Sequence, residues 1–250
     1  MALTFLIPAR VNKKMVAPIF YGVRVENNVG SPNTMVTIAS GATISSDDAE
    51  DVITSVSDVD IDIATTGANG LDAGPEKADT WYYIWLIKKP DGTVAGLFSE
   101  SYDDPMKPSG YTKQALVGAV RNDGSGNFLK FFQVGKEVNF VNEQTVFNRS
   151  GRYSSFVTVD PSAYVPTEIS DRALVRFLFN SKGSMSLFFV PGTQTGSVGG
   201  VKVAQLEEES EKLVAHIDCL LGFEGTFSLR TSGSSLNTDT LATIFGFVID

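Results

Sequence analysis

A single cysteine, Cys219, and a single histidine, His216, are all that this 250-residue chain holds of either type. One cysteine excludes an intrachain disulfide and any zinc site built on several thiolates. Its apolar setting, HIDCLLGF, makes it a buried small hydrophobe in preference to a reactive thiol. One histidine means that any Ser-His-Asp or Cys-His mechanism has to run through His216. On a strand, positions three apart point to opposite faces, so His216 and Cys219 are not expected to share a proton. The chain also lacks a P-loop, a dinucleotide fingerprint and a zinc-binding histidine pair. No apolar run approaches the roughly 20 residues a spanning helix requires, and no membrane insertion is expected. In the opening MALTFLIPARVNKK the apolar run precedes the basic residues, the reverse of a secretory signal, and Pro8 interrupts it, so no signal peptide is read there.

Positive charge is the scarcer sign, with 20 basic against 29 acidic residues and a net charge of −9. Such a chain repels a phosphate backbone, and its basic residues are scattered, so nucleic acid is not an expected partner. At 20% charged and 42% hydrophobic the chain is too apolar for disorder and too polar for a membrane protein. The one asymmetry lies in residues 1–30, where Arg10, Lys13, Lys14 and Arg24 face Glu26 alone, a net of +3 that leaves −12 for the remainder. This segment is read as an arm and first strand whose four basic residues are candidates for docking on an acidic surface. An ordinary first strand with solvated lysines is the alternative.

What is abundant is strand character. Runs of β-branched and aromatic residues recur between Gly, Pro, Asn, Asp and Ser, and helical periodicity is nearly absent. Strands are expected over 19–25, 34–39, 59–64, 80–88, 93–99, 116–121, 128–134, 136–140, 153–159, 173–179, 186–190, 202–206, 212–219, 225–230 and 241–249. Lys89-Pro90-Asp91-Gly92, the run Asn122 to Asn127 and Asn180-Ser181-Lys182-Gly183 have turn chemistry, since Gly supplies φ > 0 without strain and Asn or Asp tolerates it. Residues 47–52 have the makings of one helical turn capped by Ser46. LEEESEKLVAHI favours helix by propensity, but Leu213, Ala215 and Ile217 alternate with Val214, His216 and Asp218, so a turn followed by a strand is expected. The polar stretch VNEQTVFNR marks the expected division between two units, 31–145 and 146–250. The fold class is therefore all-β, two antiparallel β-sandwich (jelly-roll-like) domains with little helix.

Asp58, Asp60 and Asp62 alternate with Val59, Ile61 and Ile63, which suggests a carboxylate face able to meet a hard cation. Neighbouring side chains on one strand face diverge by roughly 7 Å, so a solvated acidic face is the stronger reading. Glu100, Asp103, Asp104, Glu207, Glu208 and Glu209 are acids among which nothing singles out a glycosidase pair. No catalytic residue, cofactor or metal is expected. Trp81-Tyr82-Tyr83-Ile84-Trp85 is the aromatic segment most suited to binding, although a strand buried on both sides explains it better. Tyr102 and Tyr111, in loop-like stretches, are stronger candidates for exposed contacts, with Asp103 and Asp104 beside the first.

From about Ile38 to Val138 the sequence resembles a domain that recurs in tail-fibre-like and collar-fibre-like structural proteins of bacteriophages. IASGATISSDD, GANGLDAGPEKADTWYYIWLI, DGTVAGLFSES, PSGYTKQALVGAVR and DGSGNFLKFFQVG carry the likeness, in that order, over roughly two fifths of the chain. More loosely, SSFVTVDPSAYVPTEISDRALVRFLFN and TLATIFGFVID are similar to strands of the C-terminal sandwich in such proteins. QLEEESEK and the opening MALTFLIPARVNKK depart from the pattern. The resemblance implies β-sandwich modules, a virion location after assembly in the host cytoplasm, and no catalytic residues to carry over. The partners it implies are further copies of the chain, three by the fibre likeness, and other virion proteins of tail, collar or capsid. A host-surface glycan met by Tyr102, Asp103, Asp104 and Tyr111 is one alternative, and a capsid decoration protein is another.

Overall fold

A computed structural model describes residues 19–206, 209–234 and 238–250. In chain order the first half contains β1 (Phe20–Tyr21), β2 (Arg24–Asn27), β3 (Met35–Ile38), β4 (Thr43–Ser45), β5 (Val52–Thr54), β6 (Val59–Asp62), β7 (Gly70–Leu71), β8 (Trp81–Lys88), β9 (Val94–Ser99), β10 (Lys113–Arg121), β11 (Phe131–Val134) and β12 (Glu137–Ser150). The second half contains β13 (Val157–Val159), β14 (Arg172–Lys182), β15 (Met185–Pro191), β16 (Val201–Leu206), β17 (Glu209–Leu220), β18 (Phe227–Gly233) and β19 (Thr238–Val248). No helix occurs among the described residues, and the chain is all-β. Every expected strand segment overlaps an observed one. The first is broken in two at Gly22, whose φ of +66° a side chain would resist; an added Cβ would also lie 2.6 Å from the Gly41 carbonyl oxygen.

One eight-stranded sheet, ordered β17-β14-β19-β12-β11-β2-β3-β6, runs the length of the molecule. A four-stranded sheet, β10-β8-β9-β7, packs on its first-half strands. The approach is close enough that a Cβ on Gly96 of β9 would meet Ile61 of β6 at 2.3 Å. Gln133 of β11 also donates from Nε2 to the Val117 carbonyl of β10 at 2.8 Å. A second four-stranded sheet, β13-β18-β15-β16, faces the other end, where Phe177 of β14 meets Phe227 of β18 edge to face at 6.3 Å. The small sheet β1-β4-β5 completes the set. Pairing among the named strands is antiparallel except between β7 and β9. The result is two sandwiches that share one long layer.

The shared layer is continuous because of β12, which pairs with β11 through Glu137–Phe140 and with β19 through Glu137–Ser150. The stretch VNEQTVFNR, expected to be the polar junction, instead lies within this strand. Its polarity has a different cause: Val141, Asn142, Glu143, Thr145, Asn148 and Arg149 face solvent, and two register shifts, after Asn139 and after Thr145, interrupt the alternation a sandwich strand would show. Residues 47–52 form no helical turn. They close the hairpin from β4 to β5, with Ser46 N donating to the Asp51 carbonyl at 2.9 Å and Asp51 N donating to Ser46 Oγ at 3.0 Å. The second propensity-based helix is absent as well, and β17 occupies that stretch as the alternation indicated.

The aromatic strand β8 is buried on both faces from Tyr82 to Ile87. It is the interior strand between β10 and β9, and its rings close the core. Removing Trp85 from water, at 1% exposure, is worth about 3 kcal/mol by area. Its polar atoms fasten the two halves: Trp81 Nε1 donates to the Ser162 carbonyl at 3.0 Å and Tyr83 Oη donates to Glu168 Oε2 at 3.0 Å. The Trp81 ring also meets Phe247 edge to face at 5.7 Å.

Candidate functional site

The loop from β9 to β10 is built on serine hydroxyls and one buried-side carboxylate. Ser99 Oγ donates to Asp72 Oδ2 at 2.6 Å, and the same carboxylate oxygen accepts from Met106 N at 3.0 Å. Ser101 Oγ then donates to Asp103 Oδ1 at 2.8 Å and accepts from Asp104 N at 3.0 Å, a local turn of the kind serine and aspartate favour. This arrangement leaves Asp103 and Asp104 exposed and Tyr102 at 45% exposure, with its ring resting on Tyr83 near the start of β8. Tyr111 lies past the other end of β8, half-buried, with the Lys89 ammonium 4.9 Å from its ring centre. The four residues expected to contact a receptor therefore fall into two places, Tyr102 to Asp104 and Tyr111.

Gln114 of β10 joins the first of those places to the hairpin between β4 and β5. Its Nε2 donates to the Asp103 carbonyl at 3.4 Å and to Asp47 Oδ2 at 3.0 Å, while Lys107 Nζ donates to its Oε1. Around it lies a cleft of about 190 Å³ lined by Asp47, Asp48, Lys107, Thr112, Lys113 and Gln114. Tyr111 is next in the chain to Thr112. Burial raises the Asp47 carboxyl above the ordinary range, opposed by the Gln114 amide. The adjacent Asp48 is held well below that range, chiefly by its 2.5 Å contact with Lys113. Alternating carboxylate, ammonium, hydroxyl and amide groups around a small opening suit a polyhydroxylated ligand.

A second surface lies on the outer face of the shared sheet. Phe132 pairs with Glu26, Val134 pairs with Arg24, and Glu26 pairs with Thr37, so these residues form one patch across β11, β2 and β3. Together with Asp58 they line a groove of about 440 Å³, in which Phe132 is 46% and Val134 58% exposed. Arg24 is thus placed among exposed apolar side chains. The other docking candidates, Arg10, Lys13 and Lys14, lie outside the described residues.

The remaining candidates are held in local structure. His216 is exposed on β17 with its ring edge-on to Phe245, on the opposite face from buried Cys219. Burial pushes the Cys219 thiol up to about 12. Val59, Ile61 and Ile63 are buried, while Asp58 and Asp60 face solvent and Asp62 is half-buried. Asp60 Oδ1 accepts from Thr37 Oγ1 at 2.6 Å and Asn28 Nδ2 at 3.0 Å, Asp58 Oδ1 from Ser40 N at 2.8 Å, and Asp62 Oδ1 from Ala64 N at 3.0 Å. Each carboxylate serves a different backbone or side-chain donor. Among the described residues no three His, Cys, Asp or Glu side chains are grouped to hold a metal ion.

The sequence could not have revealed the Gln114 cleft. Its residues come from three stretches, joined where Asp47 N donates to the Gln114 carbonyl at 3.0 Å. No family model and no curated protein matches the chain. Among solved structures it is similar to a chain of the "Structure of infectious bursal disease virus Gx strain", at 8% identity over 93% of this chain and 73% of that one. The TM-score is 0.21, and at that value the likeness carries no argument.

Proposed function

We propose that the chain is a structural protein of a bacteriophage virion, a tail-fibre or collar component that acts through self-association and docking on other virion proteins. The observation that carries this reading is the outer patch of β2 and β11, where Phe132 and Val134 stand exposed beside Arg24 and Glu26. Apolar side chains ringed by both charges make a typical subunit contact, with the apolar part supplying affinity and the charges selecting the partner. The likeness from Ile38 to Val138 supports the virion setting. Function in this reading is assembly, driven by removing apolar area from water at roughly 25 cal/mol per Å².

Cryo-electron microscopy of intact particles tests the proposal. Density for this chain at the neck or tail, with the β2 and β11 patch covered by a neighbour, is the expected result. Attachment to the capsid lattice would favour a decoration protein, and absence from mature particles would overturn the virion reading.

A second reading rests on the Gln114 cleft, to which the Asp103 carbonyl is bonded and Tyr111 is adjacent in the chain, together with exposed Tyr102, Asp103 and Asp104: a module that binds host-surface glycan. Glycan-array binding by the purified protein, reduced at least tenfold in Gln114→Ala and in Tyr102→Ala, is what this reading expects. Unchanged binding in both variants would remove the cleft from consideration.

A further inference from the structure

The eight-stranded sheet ends in β17, twelve residues long, which among the described residues pairs along one edge only, with β14. Among the described residues no strand lies beside its other edge, whose backbone N–H and C=O groups form the arrangement that most readily recruits another strand. The side chains support the same conclusion. Val214 is 47% and Leu220 52% exposed on the outer face, and on the inner face Leu213, Ala215 and Ile217 remain only half-buried. The inner row of an edge strand stays open when nothing lies alongside it.

We propose that this edge pairs with β17 of a second copy, antiparallel, about a two-fold axis through Ala215. Three features select this occupant and this register. Ala215 lies at the middle of β17, so this register uses nearly the whole strand. It also sets Lys212 opposite Asp218 of the partner subunit, and by symmetry Asp218 opposite Lys212 of the partner subunit, so that each Asp218, already bound by Arg172 of its own chain, stands between two cations on the outer face. On the inner face Leu213 meets Ile217 of the partner subunit, again twice, closing the half-open apolar row. Pairing of β17 onto the opposite end of the sheet is disfavoured, because the outer backbone of β6 is already engaged: Asp62 N donates to the Asn69 carbonyl at 3.0 Å. A self-complementary edge closes at two copies and does not propagate. The inference gives the self-association part of the proposed function a specific geometry, with two copies in place of the three implied by the fibre likeness. It does not depend on the virion location.

Cysteine cross-linking of the full chain tests it, in a Cys219→Ala background. Cross-strand Cα atoms are about 4.5–5.5 Å apart, within reach of a disulfide. Ala215→Cys is expected to yield a covalent species of twice the chain mass on mild oxidation. Lys212→Cys together with Asp218→Cys is expected to do the same, while Lys212→Cys alone, six positions out of register, stays single. Light scattering on the unmodified protein is expected to give two chain masses, falling to one in Lys212→Asp. A single-chain mass at all concentrations with no cross-link at Ala215→Cys would overturn the proposal, as would cross-linking by Lys212→Cys alone. A three-chain mass would overturn the edge pairing and leave self-association standing. Cross-linking by a protein that is absent from particles would keep the edge and discard the virion setting.

Discussion

At one end of the shared sheet β6 is four residues long, has Asp58, Asp60 and Asp62 along it, and meets a covering turn at Asn69. At the other end β17 runs for twelve residues and, among the described residues, pairs on one side only, with Lys212, His216 and Asp218 exposed on its outer face. Unpaired strand edges invite association, and the first end has three of the usual protections: shortness, charge and cover. The second end is long, though not without charge. The contrast indicates that exposure of β17 is not a general property of how this sheet ends. One edge is closed within the chain and the other, among the described residues, is open.

The largest test of this contrast is in the apolar row beneath each edge. Ile61, fully buried under β9, should cost about 2–5 kcal/mol when replaced by alanine, with no change in molecular mass. Leu213→Ala, on the half-open row of β17, should cost under about 1 kcal/mol in the separate chain and act mainly on the mass measured by light scattering. Urea unfolding of both variants checks the difference, and equal losses would mean that the two rows are equally enclosed. A smaller effect is expected at the β6 protection itself. Asp60→Ala removes the acceptor for Thr37 and Asn28 and should cost about 0.5–1.5 kcal/mol, with an increase in concentration-dependent association at that edge.

The smallest effects are expected at the cleft, away from both edges, where Asp47 and Asp48 titrate in opposite directions. The Asp47 carboxyl is raised by burial, so its contribution favours the fold at low pH and is lost as pH rises from the ordinary aspartate range through the folded value. Asp47→Asn should therefore gain stability relative to the unmodified chain above that range. Asp48 is lowered by Lys113, so its contribution is present above the ordinary value and lost as pH falls toward the folded one. Both groups are substantially solvated, and each effect should stay below about 1 kcal/mol in thermal melts taken across pH 3–7. A larger shift would show the two carboxylates to be less solvated than their exposure indicates.

How legible these features were in the sequence depended on whether local alternation carried the information. The acidic guard of β6 was readable because Val59, Ile61 and Ile63 alternate with the three aspartates. The strand at Leu213, Ala215 and Ile217 was readable for the same reason, against the helix propensity of its glutamates. Strands β4 and β5 were missed because three residues each are too short for a period to emerge. VNEQTVFNR, read as the division between two units, lies in a bulged strand with a solvent face, whose polar composition and broken alternation hide its strand character. The cleft was not legible at all, since the register between the 46–51 hairpin and β10 is a tertiary fact that no spacing encodes. Of the two tyrosines expected to be exposed, Tyr102 is and Tyr111 is half-buried under Lys89, while the side chains that line the cleft, Asp47, Lys107, Lys113 and Gln114 among them, carried no signal.

The placement of β19 has a consequence for the order in which the molecule can be completed. This strand lies between β12 and β14 in the sheet, yet the ribosome makes it after both of them. Until β19 is made, the edges of β12 and β14 that it pairs in the finished sheet lack that partner. The pairing that joins them connects Glu137 with Val248, a contact so distant along the chain that closure is slow. Any association of incomplete chains through these edges would occur at the centre of the sheet, where the finished protein has no edge.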